Sequence, residues 1–159
     1  MALLTVDIAD LKVSRDEQDT LVTYALGSCI AVVLWDPRRR VGGMNHFMLP
    51  EARTCPEKAQ ESPDMFGDLG VARLFSAMGA LGCRPGDLIV KVAGGAKRFE
   101  ASAAFDIGRR NYLMLRKLLW RMGLTIASEE VGGTRSRTVR LHVGTGAVTI
   151  RSEGEEWSL

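Results

Sequence analysis

The chain has 159 residues, of which 46% are hydrophobic and 25% charged, and its net charge is +2 at neutral pH. This length fits one domain that buries roughly two-thirds of its unfolded surface. The small net charge argues against a nucleic-acid partner. Three cysteines without a CxxC pair argue against a disulfide framework.

The first residues of the chain lack the basic segment and the apolar core of a secretory signal. The longest strongly apolar run covers residues 30–35, far short of the roughly 20 residues that span a bilayer. We therefore expect a cytoplasmic protein with reduced thiols and no direct membrane insertion.

Four strands are predicted before residue 50. They share apolar, β-branched or aromatic composition and cover residues 3–8, 20–26, 30–35 and 41–49. The charged stretch 12–19 separates the first two. The run 30–35 fits a buried strand, although periodicity alone also allows a helical turn there. In the last strand, alternation places Met44, His46 and Met48 on one face.

Two helices punctuate the remaining strands. Residues 50–63 are polar, contain three prolines and are predicted to be an exposed loop, a candidate flap over a site. Apolar stripes predict helices over 68–81 and 109–122, which Gly82 and Gly123 end. The remaining strands are predicted over residues 88–93, 124–131, 137–143 and 147–151. The tail 153–159 is acidic and is expected to be frayed.

This order of elements predicts an α+β fold. We expect a single compact domain over residues 1–159, built as a mixed or antiparallel β-sheet sandwich with two main helices packed on it. Residues 152–159 would be its frayed end. No repeat, low-complexity tract or linker divides the chain.

Cys29 and His46 form the pair with the clearest chemical potential. Cys29 follows Gly27 and Ser28 between two apolar runs, and His46 lies seventeen positions later in a predicted strand. A neighbouring imidazole can activate a thiol as a nucleophile. From these residues alone, Cys29 is equally well a small buried hydrophobe, and His46 a hydrogen-bonded core histidine.

Other patterns are weaker. A zinc site from Cys29, His46, Cys55 and Cys83 would have spacings unlike compact zinc motifs. Ser28 is a poorer nucleophile than a thiol beside the same base, so a turn or oxyanion role fits it better. The glycine pair at 94–95 lacks the remainder of a phosphate-loop motif and fits a tight turn.

The motifs around this pair resemble those of a known family. They are TYALGSCIAV at 23–32, WDP at 35–37, GGMNHFMLP at 42–50, KVAGGA at 91–96, IGRRN at 107–111 and EVGG at 130–133. In type and order they resemble the CheD family of chemoreceptor glutamine deamidases. The pattern departs from the family at Ala93, Lys97, Glu130 and Ser136.

The resemblance implies a nucleophile at Cys29, a general base at His46 and a third catalytic residue at Thr23. Gly27 and Ser28 are expected to form the turn and the oxyanion site, and no cofactor is implied. The implied partners are methyl-accepting chemotaxis receptors, as substrates, and a CheC-like phosphatase. Two alternatives stay open, which are hydrolysis of receptor glutamyl methyl esters and a non-catalytic role in modulating that phosphatase.

Overall fold

Ten strands and three α-helices are found in residues 2–97 and 106–159, which are the residues that the computed structural model describes. The strands are β1 (Leu3–Thr5), β2 (Asp10–Ser14), β3 (Thr20–Leu26), β4 (Ile30–Asp36), β5 (Val41–Phe47), β6 (Ile89–Gly94), β7 (Ser128–Val131), β8 (Arg137–His142), β9 (Val148–Ser152) and β10 (Glu155–Ser158). The helices are α1 (Pro56–Glu61), α2 (Gly67–Ala80) and α3 (Ile107–Arg121). Short 3-10 turns occupy Ala52–Thr54, Pro63–Met65 and Pro85–Asp87.

The strands form two five-stranded sheets. Sheet A has the order β1-β3-β8-β9-β10, and sheet B has the order β2-β5-β4-β6-β7. Most neighbouring strands are antiparallel, whereas β1 runs parallel to β3 and β6 parallel to β7. The predicted α+β sandwich with two main helices is therefore confirmed, and its sheets are mixed.

The apolar core consists of two clusters, one between the two sheets and one between sheet B and the helices, so the fold has three layers. One apolar cluster joins residues of both sheets, for example Leu21 and Val139 from sheet A with Val33 and Met44 from sheet B. The other joins the opposite face of sheet B to α2 and α3. Strand β4 lies in the middle of sheet B and is covered on both faces, so its continuous apolar run is buried as a strand.

The helix boundaries follow from local sequence. Asp106 is the N-cap of α3, and its carboxylate accepts a hydrogen bond of 3.1 Å from the Arg109 backbone N–H. Gly82 and Gly123, just beyond the ends of α2 and α3, have φ angles of +91° and +73°. Glycine adopts this left-handed conformation without the cost of a Cβ contact, so the predicted helix stops are confirmed.

The N-terminal prediction missed a strand. The first strand ends at Thr5 rather than at residue 8, and β2 lies partly within the stretch predicted as a charged connection. Its charged residues Asp10 and Lys12 alternate with Leu11 and Val13, which pack against the helix-side core. This alternation is typical of an edge strand, and β2 pairs with β5 at the edge of sheet B.

Four other predictions were wrong. The predicted loop 50–63 contains helix α1 and the 3-10 turn Ala52–Thr54, and a second 3-10 turn begins at its last residue. The strands predicted at 41–49 and 124–131 are shorter, at Val41–Phe47 and Ser128–Val131. The acidic tail is not frayed, because Glu155–Ser158 pairs with β9 as an edge strand. Trp157 anchors this strand by packing against the cluster between the sheets.

Candidate active site

A buried hydrogen bond joins the two sheets at Thr23 and His46. Thr23 lies on β3 of sheet A and His46 on β5 of sheet B, and both side chains are buried. The Thr23 Oγ1 atom lies 2.7 Å from Nδ1 of the His46 ring. It also lies 2.6 Å from the Val6 carbonyl oxygen.

These two contacts fix the tautomer of His46. A hydroxyl has one proton, and the Val6 carbonyl can only accept, so Thr23 donates to Val6. The Thr23 oxygen must then accept a hydrogen bond from Nδ1–H of His46. In the neutral ring the lone pair therefore lies on Nε2, which is buried and has no hydrogen-bond partner among the described residues. Such an atom is suited to accept a proton from a neighbouring group.

A bulge in β3 lets Thr23 and Leu26, three residues apart, both point inward. The pairing of β3 with β8 shifts register between Thr23 and Leu26, and Ala25 takes a left-handed conformation with a φ of 53°. The extra residue buries both Thr23 and Leu26 and leaves Tyr24 and Ala25 exposed. Bulges re-aim side chains in this way beside many active sites.

Cys29 lies on the same face of sheet B as His46. His46 pairs with Ala31 across β4 and β5, and Cys29 precedes Ala31 by two residues. Diagonal neighbours of this kind have Cα atoms roughly 7–8 Å apart, with the side chains on one face. The Cys29 side chain packs against the cluster between the sheets and is only half-buried. The thiol thus lies nearer the solvent than the imidazole.

The turn that carries Cys29 is held by its carbonyl groups. The carbonyl oxygens of Gly27 and Cys29 accept hydrogen bonds of 2.9 and 2.8 Å from the backbone N–H groups of Ala96 and Gly95. The peptide N–H groups of Ser28 and Cys29 donate to no group in the described part of the chain. Two adjacent N–H donors beside a thiol are what an oxyanion site requires, and the only group that the Cys29 N–H otherwise affects is its own thiol.

Asn111 links two parts of the candidate site. Its side chain is fully buried on α3, and Nδ2 donates to the carbonyl oxygens of Ser28 and Met48, both at 3.0 Å. Met48 follows His46 by two residues. Asn111 therefore connects the turn of the thiol to the strand of the imidazole, and its position in the IGRRN motif was the only signal.

The glycines of the other motifs allow this close packing. Gly94 has a φ of 110°, and a Cβ there would lie 2.2 Å from the Cys29 carbonyl oxygen. A Cβ on Gly108 would lie 2.4 Å from the Ala96 carbonyl oxygen. Larger residues would push the Cys29 turn or the start of α3 out of place. Gly94 and Gly95 both have positive φ angles, but the tight turn predicted there was wrong, because Gly94 ends β6 as a paired strand residue and Gly95 continues without a turn.

Burial sets the charge states of the Cys29 thiol and the His46 imidazole. It lowers the pKa of the His46 imidazole from 6.5 to about 4, and the negative charge of Asp7 opposes the shift only in part. Burial also raises the pKa of the Cys29 thiol above its usual value, with its own backbone N–H acting in the opposite direction. Both groups are therefore neutral at pH 7, so the site holds a thiol and an imidazole rather than a preformed ion pair.

The other cysteines and the second histidine lie elsewhere. Cys55 is exposed at the start of α1, Cys83 is buried in the helix-side core, and His142 is exposed on β8. Among the described residues, no group of three His, Cys, Asp or Glu side chains comes close enough to hold a metal. No helix in the same residues has the length and apolar character needed to cross a membrane.

A family model described as CheD chemotactic sensory transduction matches residues 48–152 of this chain. The chain belongs to the CheD family. Relatives in the family include the probable chemoreceptor glutamine deamidase CheD of Solibacter usitatus, 43% identical over 100% of this chain and 94% of its own length. The corresponding CheD 2 of Anaeromyxobacter dehalogenans is 48% identical over 96% of each chain.

A third CheD relative, the probable chemoreceptor glutamine deamidase CheD 1 of Syntrophus aciditrophicus, is 45% identical over 97% of this chain and 96% of its own. The family-model match begins after Thr23, Cys29 and His46, whereas the alignment with the Solibacter relative includes these positions. Membership of the CheD family is thus established over the whole chain, and the roles of the three residues stay predictions.

Proposed function

We propose that this chain is a protein-glutamine deamidase that converts glutamines of methyl-accepting chemotaxis receptors to glutamate through a thioester on Cys29. The observation that carries this proposal is the buried Thr23–His46 pair, which leaves Nε2 of His46 free on the face that Cys29 shares. The names of the CheD relatives support the substrate class.

The first half of the reaction forms the thioester. Because the resting pair is neutral, His46 Nε2 takes the thiol proton as the sulfur attacks the side-chain amide carbon of glutamine. The C–S bond forms and the carbonyl electrons move to the oxygen. The N–H groups of Ser28 and Cys29 stabilise this oxyanion, and one such donor typically contributes about 3 kcal/mol. The C–N bond then breaks as His46 returns the proton, and ammonia leaves.

The second half hydrolyses the thioester. His46 Nε2 takes a proton from water, the resulting hydroxide attacks the γ-carbonyl carbon, and the C–S bond breaks. The proton returns to the sulfur, which leaves a glutamate carboxylate. Thr23 holds the ring through Nδ1 in both halves. A neutral hydroxyl cannot balance the imidazolium charge as a carboxylate would, so Thr23 acts mainly on orientation.

The product explains how this chemistry affects signalling. Each turnover replaces a neutral amide with a carboxylate, which adds a negative charge to a receptor helix and creates a methylation site. Charges packed between helices repel one another, so the signalling bias of the bundle shifts. The helical regions in question lie on the cytoplasmic side of the receptor, so the reaction belongs to the cytoplasm.

A CheC-like phosphatase is the second partner that we propose. Membership of the CheD family is what supports it. A phosphatase that covered the Cys29 turn would block access to the thiol, because this is the half-buried side of the catalytic pair. Binding would then link deamidation to phosphorylation of the response regulator.

The test uses a receptor cytoplasmic fragment and three forms of the enzyme. Wild type, Cys29→Ala and the exposed-cysteine control Cys55→Ala are incubated with the fragment, and peptide mass spectrometry maps glutamine-to-glutamate conversion. Wild type and the control should convert the same glutamines, and Cys29→Ala should convert none. Conversion by Cys29→Ala would exclude the proposed nucleophile, and inactivity of the wild type would exclude the function.

A further inference from the structure

An open groove lies between α2 and α3, on the helix side of sheet B. Its volume is about 780 Å³, and its apolar floor includes Phe75, Met114 and Leu118. Its rim carries Arg110, Lys117 and Arg121, all on α3. The floor residues also pack in the helix-side core, whereas the charged rim and the exposed apolar side chains of the groove take no part in that packing or in the Cys29–His46 pair.

The rim carries positive charge that is not neutralised within the described residues. Arg110, Lys117 and Arg121 are exposed, and none of them forms an ion pair with a described acidic group. The fourth base at the groove, Arg53, is already paired with Glu51 at 2.8 Å. The carboxylate of Asp68 also lines the groove and accepts hydrogen bonds only from backbone N–H groups, so the three cations exceed the unpaired acidic charge and attract an anionic partner.

The same groove exposes apolar side chains. Leu113 is 48% exposed and Met122 is 39% exposed, and both line the groove. A small-molecule site would enclose most of its ligand, whereas these walls lie open to solvent. An apolar strip beside a row of cations instead fits an amphipathic helix whose polar face is acidic, since such helices bind by laying their apolar side into a groove.

One end of the groove, at Arg110, is next in sequence to the residue that holds the turn of residues 27–29 (the catalytic turn), although the Cys29 thiol itself packs on the other face of sheet B. Arg110 is adjacent to Asn111, whose side chain contacts the Ser28 carbonyl oxygen at 3.0 Å. Pro50, at the same end, follows Met48 by two residues. From Arg110 to Arg121 the helix rises about 16 Å, which is three turns. A partner helix that lay along α3 would therefore extend from the neighbourhood of Cys29 over about three of its own turns.

We propose that this groove docks an acidic amphipathic helical segment of the receptor, next to the glutamine that is converted. The inference rests on the proposed function and adds the surface that selects the substrate. Lys117 and Arg121 lie at the far end, so they bind the substrate without taking part in the chemistry. Each conversion adds a carboxylate to the receptor, which strengthens its attraction to this rim.

The test reverses charge at the far end of the groove. The double variant Lys117→Glu/Arg121→Glu is compared with Arg84→Glu/Arg151→Glu, which makes the same change in net charge at exposed positions outside the groove. The KM for the receptor fragment should rise at least about tenfold in the groove variant only, with kcat unchanged. Raising the salt concentration should increase the wild-type KM and have little effect on that of the groove variant.

Two further measurements separate docking from an indirect effect on the catalytic turn. The rate at which iodoacetamide alkylates Cys29 reports the state of that turn without substrate, and it should be the same in all forms. Leu113→Asp, which changes the apolar wall, should also raise KM. An unchanged KM in the groove variants, while wild type remains active, would overturn docking and leave the deamidase proposal intact.

The remaining outcomes are equally distinct. Inactivity of the wild type toward the fragment would defeat the proposed function itself. An altered alkylation rate in the groove variant would mean that the groove acts through the catalytic turn, which contradicts docking. A wild-type dimer that the groove variant converts to a monomer, in size-exclusion chromatography, would make the groove a contact between two copies and also overturn the proposal.

Discussion

The chain has two histidines, and each is hydrogen-bonded through Nδ1 to a threonine of β3. His46 contacts Thr23 at 2.7 Å, and His142 contacts Thr20 at 3.0 Å. The surface pair joins directly opposite residues within sheet A, and its histidine is exposed. The buried pair crosses between the sheets, has its hydroxyl proton bound to Val6, and shares a face of sheet B with the Cys29 thiol.

The comparison indicates which features a threonine–histidine pair needs in order to take part in proton transfer. A threonine and a histidine in contact are not enough, since the surface pair has the same groups. The buried pair adds a fixed tautomer, a desolvated ring with a free Nε2, and a nucleophile on the same face. If these features matter, then substitutions in the buried pair should have much larger effects on activity and stability than the same substitutions in the surface pair.

The largest difference is expected at the histidines. His46→Gln should lower kcat/KM for the receptor fragment by about 10³ to 10⁴, because it removes the group that moves the proton in every step. The matched change His142→Gln should leave kcat/KM within about twofold. Thermal unfolding of each variant checks that the fold is retained. Equal losses in the two variants would contradict the assignment of the base.

The second largest effect is expected in the pH dependence of the free energy of unfolding. His46 has a pKa of about 4 in the folded chain and about 6.5 in the unfolded chain, so the unfolded state takes up the proton first as the pH falls. The contribution of His46 to stability is therefore complete above about pH 6.5 and is lost between pH 6.5 and pH 4. The loss is on the order of 3 kcal/mol, or about a hundredfold in the unfolding equilibrium.

Urea unfolding between pH 7 and pH 4.5 measures this effect. The wild type and His142→Gln should both lose stability as the pH falls, and His46→Gln should lose much less. If His46→Gln kept the full slope, another group would be responsible.

The threonines provide a smaller contrast. Thr23→Val removes the acceptor of Nδ1–H and leaves the buried Val6 carbonyl without its donor. We expect kcat to fall roughly tenfold to a hundredfold because the ring loses its orientation, whereas Thr20→Val should change it little. Thr23→Ser keeps the hydroxyl and should restore most of the activity. If Thr23→Val and Thr23→Ser were equally impaired, packing would matter more than the hydrogen bond.

Asn111 should give the smallest effect. Asn111→Ala removes the donor to Ser28 and Met48 and should lower kcat about tenfold, since a small displacement of the thiol slows attack. Asn111 is a positioning residue, so KM and the pH profile should remain those of the wild type. A changed KM with normal kcat would instead place Asn111 among the residues that bind substrate.

The sequence predicted most of this fold, and the exceptions have physical reasons. Strands and helices with strong periodicity were found at nearly their observed bounds. Strand β2 was missed because alternating charges on an edge strand look like a connection, and β10 because its acidic residues hide the single anchor Trp157. Tertiary pairing decided these segments, and local composition does not report it.

The sequence likewise predicted some features of the candidate site and not others. Cys29 and His46 stood out as residue types, and the family motifs singled out Thr23. The Val6 carbonyl that fixes the tautomer had no signal, because a backbone group looks the same at every position. The groove along α3 also could not be predicted, because it depends on how far apart α2 and α3 lie.

The position of Val6 has a consequence for the newly made chain. This residue lies between β1, an edge strand of sheet A, and β2, an edge strand of sheet B. The acceptor for the Thr23 hydroxyl is therefore supplied by the short segment that crosses from one sheet to the other. Until that segment has closed against both sheets, the molecule has a thiol and an imidazole without an aligned proton path. The alignment of Thr23 with His46 is thus a property of the assembled sandwich and not of either sheet alone.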